Sequence, residues 1–182
     1  ISGGRGQKLT NRSLNRAFSP RQPGSTFKIL ASYVPALDTS GMTLATVQND
    51  VSYKPAGASN SIKSWRGYHK GYTTLREGIW DSNNVVAAKT FEDVSASVSL
   101  NYLKNMGITT LDEEHDTGVS VALGGLRHGV KNIELTAAYA SIANNGTYIK
   151  PYYYTKVVDH SGKVILEHKK SSKQVMKETT AW

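Results

Sequence analysis

Ser25 and Lys28 stand three positions apart in Gly24-Ser25-Thr26-Phe27-Lys28, and a hydroxyl beside an amine is a simple pairing for nucleophilic chemistry. On a helix the two side chains lie about 60° apart around the axis, so the amine can approach the hydroxyl. In the first turn, unpaired backbone N–H groups favour a developing alkoxide at Ser25 and disfavour a protonated amine at Lys28. That dipole supplies only about 0.3 to 1 kcal/mol when exposed. Burial must therefore supply most of the fall in the lysine pKa, which makes a covered cleft part of the reading. The same spacing fits a capping serine with a solvated lysine one turn on. With 19 Ser and 15 Lys in the chain, roughly 1.6 such pairs arise by chance, so context has to decide.

An S-x-N element occurs three times, at Ser13 to Asn15, Ser82 to Asn84 and Ser99 to Asn101, against roughly one expected by chance. Ser99 and Asn101 lie inside a periodic helix, and Ser13 and Asn15 in an arm without packing anchors. Ser82 and Asn84 fall at a helix break, where a hydroxyl can relay a proton and an amide can hold a substrate. An ordinary helix-capping turn fits the same string.

The elements that must hold these groups are legible from periodicity and punctuation. Phe27, Leu30, Val34 and Leu37 recur at steps of three, four and three, one face of a helix that starts at Ser25 and is entered through Pro23 and Gly24. Pro35 is expected to kink or end it. Residues 38–73 carry Gly41, Pro55, Gly57, Gly67 and Gly71, with few apolar anchors beyond Trp65, Tyr68 and Tyr72. They read as a long irregular stretch that frames a cleft.

A short helix over 74–80, capped by Thr74, then meets the turn Asp81-Ser82-Asn83-Asn84, and a second helix runs from Val85 to about Phe91. Ser95 caps a helix over 96–106 closed by Gly107. Asn132 caps another over 132–145, with Ile133, Ala137, Ala140 and Ala143 on one side and Gly146 as its stop. Runs 152–158 and 163–167 flank Asp159-His160-Ser161-Gly162 as a hairpin. The expected segments are a basic lead over 1–24, a mainly helical part over 25–150, a hairpin over 151–168 and the start of a truncated helix over 174–182.

Composition excludes several classes. There is no cysteine, so disulfides and thiolate chemistry are out, and the five histidines include no pair at zinc-ligand spacing. The cluster Asp112-Glu113-Glu114-His115-Asp116 reads as a solvated loop, not a metal site. No apolar run approaches the ~18 to 20 residues of a membrane span. The formal charge is +8, and residues 1–37 contribute six cations, Arg5, Lys8, Arg12, Arg16, Arg21 and Lys28, with no acid. A basic non-catalytic binding module is thus a reading of another class. Nucleic acid is not the expected partner, because Phe18 is the only aromatic before Phe27.

Arg21-Gln22-Pro23-Gly24-Ser25-Thr26-Phe27-Lys28, Tyr72-Thr73-Thr74-Leu75-Arg76-Glu77, Ser82-Asn83-Asn84, Ala122-Leu123-Gly124-Gly125 and Glu134-Leu135-Thr136-Ala137-Ala138-Tyr139-Ala140 resemble, in that order, the transpeptidase domain of class A penicillin-binding proteins. Lys150-Pro151 before the hairpin is similar too. The resemblance spans nearly the whole chain. It implies an α/β (α+β) fold of the β-lactamase/transpeptidase kind, here as the nucleophile helix, the helical subdomain and a hairpin, with most of the central sheet missing.

It also implies acyl transfer on D-Ala-D-Ala stem peptides of peptidoglycan. Ser25 would be the nucleophile, Lys28 the general base, Ser82 the proton shuttle and Asn84 a substrate-amide holder, with no cofactor and no metal. β-Lactams would be covalent inhibitors at the extracytoplasmic face of the bacterial cell membrane, the anchor lying outside this chain. The departure is that no Lys-Thr-Gly follows Ser82, and Lys89-Thr90-Phe91 does not replace it. An excised piece that needs the rest of its parent polypeptide, and is a poor transpeptidase alone, is therefore expected. A serine β-lactamase or a D,D-carboxypeptidase is the nearest alternative. No E-x-x-x-N pairing of the lactamase kind occurs among the glutamates at 77, 92, 113, 114 and 134.

Overall fold

The structure, a computed structural model, describes residues 14–182, so Ser13 and the basic residues Arg5, Lys8 and Arg12 lie outside the described residues. Strand β1, Pro20–Arg21, leads into a 3-10 turn, Gly24–Thr26. The chain then continues through Phe27 and Lys28 and a π-helical turn, Ile29–Tyr33, into α1, Val34–Thr39. Pro35 therefore does not end the helix. It sits in the first turn of α1, directly after the wide π turn, where a missing N–H costs least. Its i−4 carbonyl, Ala31 O, instead accepts a 2.6 Å hydrogen bond from the buried Ser99 hydroxyl.

This composite helix runs through the core. Phe27, Leu30 and Val34 pack with Leu100, Leu103, Met106, Val121, Leu126 and Val130. On its other side Tyr33 packs with Leu75, Val86 and Ala87. Each such side chain contributes about 1.5 to 3 kcal/mol when fully buried, which is what fixes the helix bearing Ser25 and Lys28.

Residues 38–73 are not wholly irregular. They hold β2, Val47–Asp50, and β3, Gly71–Thr74, paired antiparallel with Asp50 opposite Gly71. The expected aromatic anchors are not buried in an apolar core: Trp65, Tyr68 and Tyr72 are 66%, 58% and 84% exposed. The buried tie of this segment is polar, the carboxylate of Asp50, 1% exposed.

Helices α2, Leu75–Trp80, and α3, Asn84–Val94, flank the Asp81–Asn83 break. Thr74 Oγ1 accepts the Glu77 N–H and Asn83 Oδ1 accepts those of Val85 and Val86, so both helices are capped by side chains. A Cβ on Gly78 would lie 2.5 Å from Val86 Cγ1, which is how closely α2 and α3 approach. Helix α4 spans Ala96–Asn105 and ends on Gly107 at φ +86°. Ser95 does not cap it: its φ is +79° and its hydroxyl bonds Ser97 Oγ instead.

Strand β4, Val130–Lys131, pairs with β1, and α5, Asn132–Ala143, follows it directly. Lys131, not Asn132, is the residue before its first turn, with no side-chain cap. Its buried face is Ile133, Ala137, Ala138 and Ser141, while Ala140 and Ala143 are exposed. The remaining elements are β5, Thr147–Ile149, β6, Lys156–Val158, β7, Val164–Glu167, β8, Ser172–Gln174, and α6, Glu178–Ala181. β5 pairs with β8, and β6 with β7 as an exposed hairpin. The acidic loop is not simply solvated: Asp116 is 2% exposed and accepts the backbone N–H groups of Asp112 and Arg127.

Ser99→Ala removes the one side-chain donor to the carbonyl left by Pro35. It is expected to lower unfolding free energy by about 1 to 3 kcal/mol, read as a lower urea midpoint at unchanged slope.

Candidate active site

The composite helix and the Asp81–Asn83 break meet at the amine of Lys28. Lys28 is 2% exposed. Its Nζ lies 2.6 Å from Ser82 O, 3.0 Å from Ser82 Oγ and 2.6 Å from Asn84 Oδ1. Three of the four residues expected from sequence are thus brought together across more than 50 positions of chain. The fourth, Ser25, lies one turn earlier and is exposed; among the described residues its hydroxyl makes no hydrogen bond. Among the described residues, no three metal-ligating side chains gather.

The three contacts differ in kind. Ser82 O and Asn84 Oδ1 can only accept, and the orientation of Asn84 is set by its Nδ2 donating to Lys63 O at 2.8 Å. An ammonium satisfies all three with its three protons. A neutral amine gives its two protons to the carbonyl oxygens and turns its lone pair to the Ser82 hydroxyl. The site can therefore hold either protonation state without an unsatisfied group, which a base that exchanges protons requires. Burial lowers the Lys28 pKa from 10.5 to about 8, and the opposing pull of Asp81 is the smaller effect. About one Lys28 in ten is then neutral at pH 7.

The backbone strain of Ser82, together with Asp81, Arg66 and Trp65, which the sequence does not mark as site residues, shapes this corner. Ser82 has φ +53°, a left-handed conformation costing a non-glycine residue about 1 to 2 kcal/mol. With it, both its carbonyl and its hydroxyl reach Lys28. Asp81 is 5% exposed and ion-paired with Arg66, whose guanidinium lies 4.9 Å from the centre of the Trp65 ring. Trp65 Nε1 donates to Asp81 O at 3.0 Å. The irregular 51–70 segment is thus fastened to the break by Lys63, Trp65 and Arg66.

Ser25 is held from both sides by its neighbours. The Gln22 carboxamide pairs with both backbone groups of Leu126, donating to its O at 2.5 Å and accepting from its N at 2.9 Å. Tyr139 Oη donates to Thr26 O at 2.5 Å. Gly124, at φ +76°, packs so tightly on Gly24 that a Cβ there would lie 2.1 Å from Gly24 O. Gln22, Gly124 and Tyr139 all stand in strings that carried the resemblance, so a signal existed. Arg66 and Asp50 carried none.

Residues 3–182 match the family model of the penicillin-binding protein transpeptidase domain. The chain belongs to this family. It is 33% identical over 97% of its length to penicillin-binding protein 1F of Bacillus subtilis, and 35% identical over its full length to penicillin-binding protein 1A of Clostridium botulinum. It spans 24% and 23% of those proteins, about a quarter of their length. Among solved structures, penicillin-binding protein 1A of Haemophilus influenzae aligns at TM-score 0.74 and 27% identity, over 87% of this chain and 23% of that one. A ceftriaxone acyl-enzyme complex of penicillin-binding protein A from Mycobacterium tuberculosis aligns at TM-score 0.81 over 92% of this chain and 42% of that one; at 17% identity it speaks for the fold. The β-lactamase/transpeptidase fold and the class A resemblance seen in the motifs are both borne out.

Asp81→Asn removes the one charge that pulls the Lys28 pKa up. The Lys28 titration midpoint, followed by NMR of labelled lysine, is expected to move below about 8; an unchanged or raised midpoint contradicts this electrostatic description.

Proposed function

We propose that this chain is the part of a serine D,D-transpeptidase that carries the nucleophile, with Ser25 acylated by a peptidoglycan stem peptide. The observation that carries the reading is the buried Lys28 amine, poised near pKa 8 and hydrogen-bonded to Ser82 Oγ and Asn84 Oδ1 one turn below an exposed serine. Neutral Lys28, its lone pair turned from the Ser82 hydroxyl to Ser25, takes the Ser25 proton as Oγ attacks the penultimate D-alanine carbonyl. The new Ser25 ester forms, the D-Ala-D-Ala amide bond breaks, and the proton passes through Ser82 Oγ to the departing D-alanine amine. An amine from a neighbouring strand then displaces the ester, re-forming the serine hydroxyl and the cross-link. Asn84 holds the substrate amide, and the Ser25 N–H is one oxyanion donor, worth about 2.7 to 4 kcal/mol in such sites.

The second donor belongs to the Lys-Thr-Gly strand of the family, which this chain does not contain. The 182 residues alone are accordingly inactive, and the rest of the parent polypeptide is a partner. β-Lactams act as covalent inhibitors; the related M. tuberculosis proteins are described with penicillin V and as penicillin G and imipenem acyl-enzymes. The substrate places the reaction at the extracytoplasmic face of the cell membrane.

Intact-mass and peptide analysis of the parent protein after penicillin tests this. One adduct is expected, on Ser25 and lasting hours. Ser25→Ala abolishes it, and Lys28→Arg, which cannot deprotonate, slows its formation by about 10²- to 10⁴-fold. Rapid turnover without an adduct points to a β-lactamase, and an adduct on another residue removes the reading.

A further inference from the structure

We infer that Asp50 is a positioning residue for the transpeptidase site, acting on Ser82 and Asn84 through the Asn83 carboxamide between them. The inference rests on the function proposed above. Asp50 ends β2, and its carboxylate is buried, 1% exposed.

That carboxylate accepts from Asn83 Nδ2 at 2.8 Å, from the Lys70 backbone N–H at 3.0 Å and from His69 Nδ1 at 2.8 Å. Burial alone would raise its pKa, but these hydrogen bonds outweigh it and hold the group below the usual carboxylate range.

Asn83 is used at both ends. Its Oδ1 accepts the Val85 and Val86 N–H groups at 2.9 and 3.0 Å, which caps α3. A cap needs only that oxygen, and serine or aspartate caps as well. The Nδ2 bond to Asp50 reaches back 33 positions and adds something a cap does not. The carbonyl that Lys28 grips at 2.6 Å belongs to the Ser82–Asn83 peptide unit, so turning Asn83 swings that acceptor and shifts Asn84 beside it. Ser82 at φ +53° is strained and returns to a commoner conformation unless its neighbours hold it. Through Lys70 and His69 the same carboxylate also fixes the end of the segment whose Trp65 and Arg66 grip Asp81.

The test uses the full parent protein and a fluorescent penicillin, with Asn83→Ser, which keeps a capping oxygen, Asp50→Asn, and the double variant. The acylation rate constant, normalised to the protein that finally labels, is expected to fall about tenfold or more in each single variant, as small misplacements of reacting groups do. Non-covalent affinity for the penicillin stays unchanged. The double variant is no slower than the slower single one, because both changes break one connection. Wild-type rates in Asn83→Ser, an equal loss of affinity, or losses that multiply in the double variant overturn the inference. Should Asp50→Asn fail to fold, the rate-against-affinity split of Asn83→Ser decides alone. A wild-type parent that never labels at Ser25 overturns the transpeptidase reading instead.

Discussion

Removing the Lys28 amine from water disfavours its charged form, while the three oxygens around it favour that form. The surrounding structure exists to hold this balance. Burial against the core lowers the pKa from 10.5 to about 8, an effect of about 3 kcal/mol against the ammonium. Asp81, itself ion-paired with Arg66, pulls the other way, and its pull is the smaller of the two. Either protonation state finds partners, since two of the oxygens only accept and the third belongs to a hydroxyl that can also donate.

Holding that balance takes segments far apart in the chain. Phe27, Leu30 and Val34 seat the lysine's helix in the core. The break at Asp81–Asn83 brings the acceptors, and the 51–70 segment closes over it through Lys63, Trp65 and Arg66. On the other side, Gln22, Gly124 and Tyr139 clamp the residues flanking Ser25. The helices supply stiffness and the loops supply aim, a division common where catalytic groups sit on connections between packed elements.

What was legible in the sequence is what short-range physics controls. The face Phe27-Leu30-Val34, the Thr74 cap, the Gly107 stop and the Asp81–Asn84 break each follow from residues within a turn or two. Errors arose where a partner lies far away. Pro35 stays helical because Ser99, 68 positions from Ala31, takes the orphaned carbonyl. Strand β1 pairs with β4 across more than a hundred residues, and two-residue strands leave no period to read. Asp116 looked solvated because its donors, Asp112 and Arg127, are backbone groups. At the site, Ser82 and Asn84 stood out by motif and context, whereas Asp50 and Arg66 are ordinary residues in a stretch without periodicity.

The family assignment and the geometry meet in the state of one amine. The pH dependence of acylation by penicillin, measured on the parent protein as a second-order rate constant from pH 6 to 10, tests it most directly. A rise of about tenfold per pH unit that levels off near pH 8 is expected for a buried lysine acting as the base. A rate indifferent to pH, or one still climbing towards the ordinary lysine value of 10.5, would contradict it.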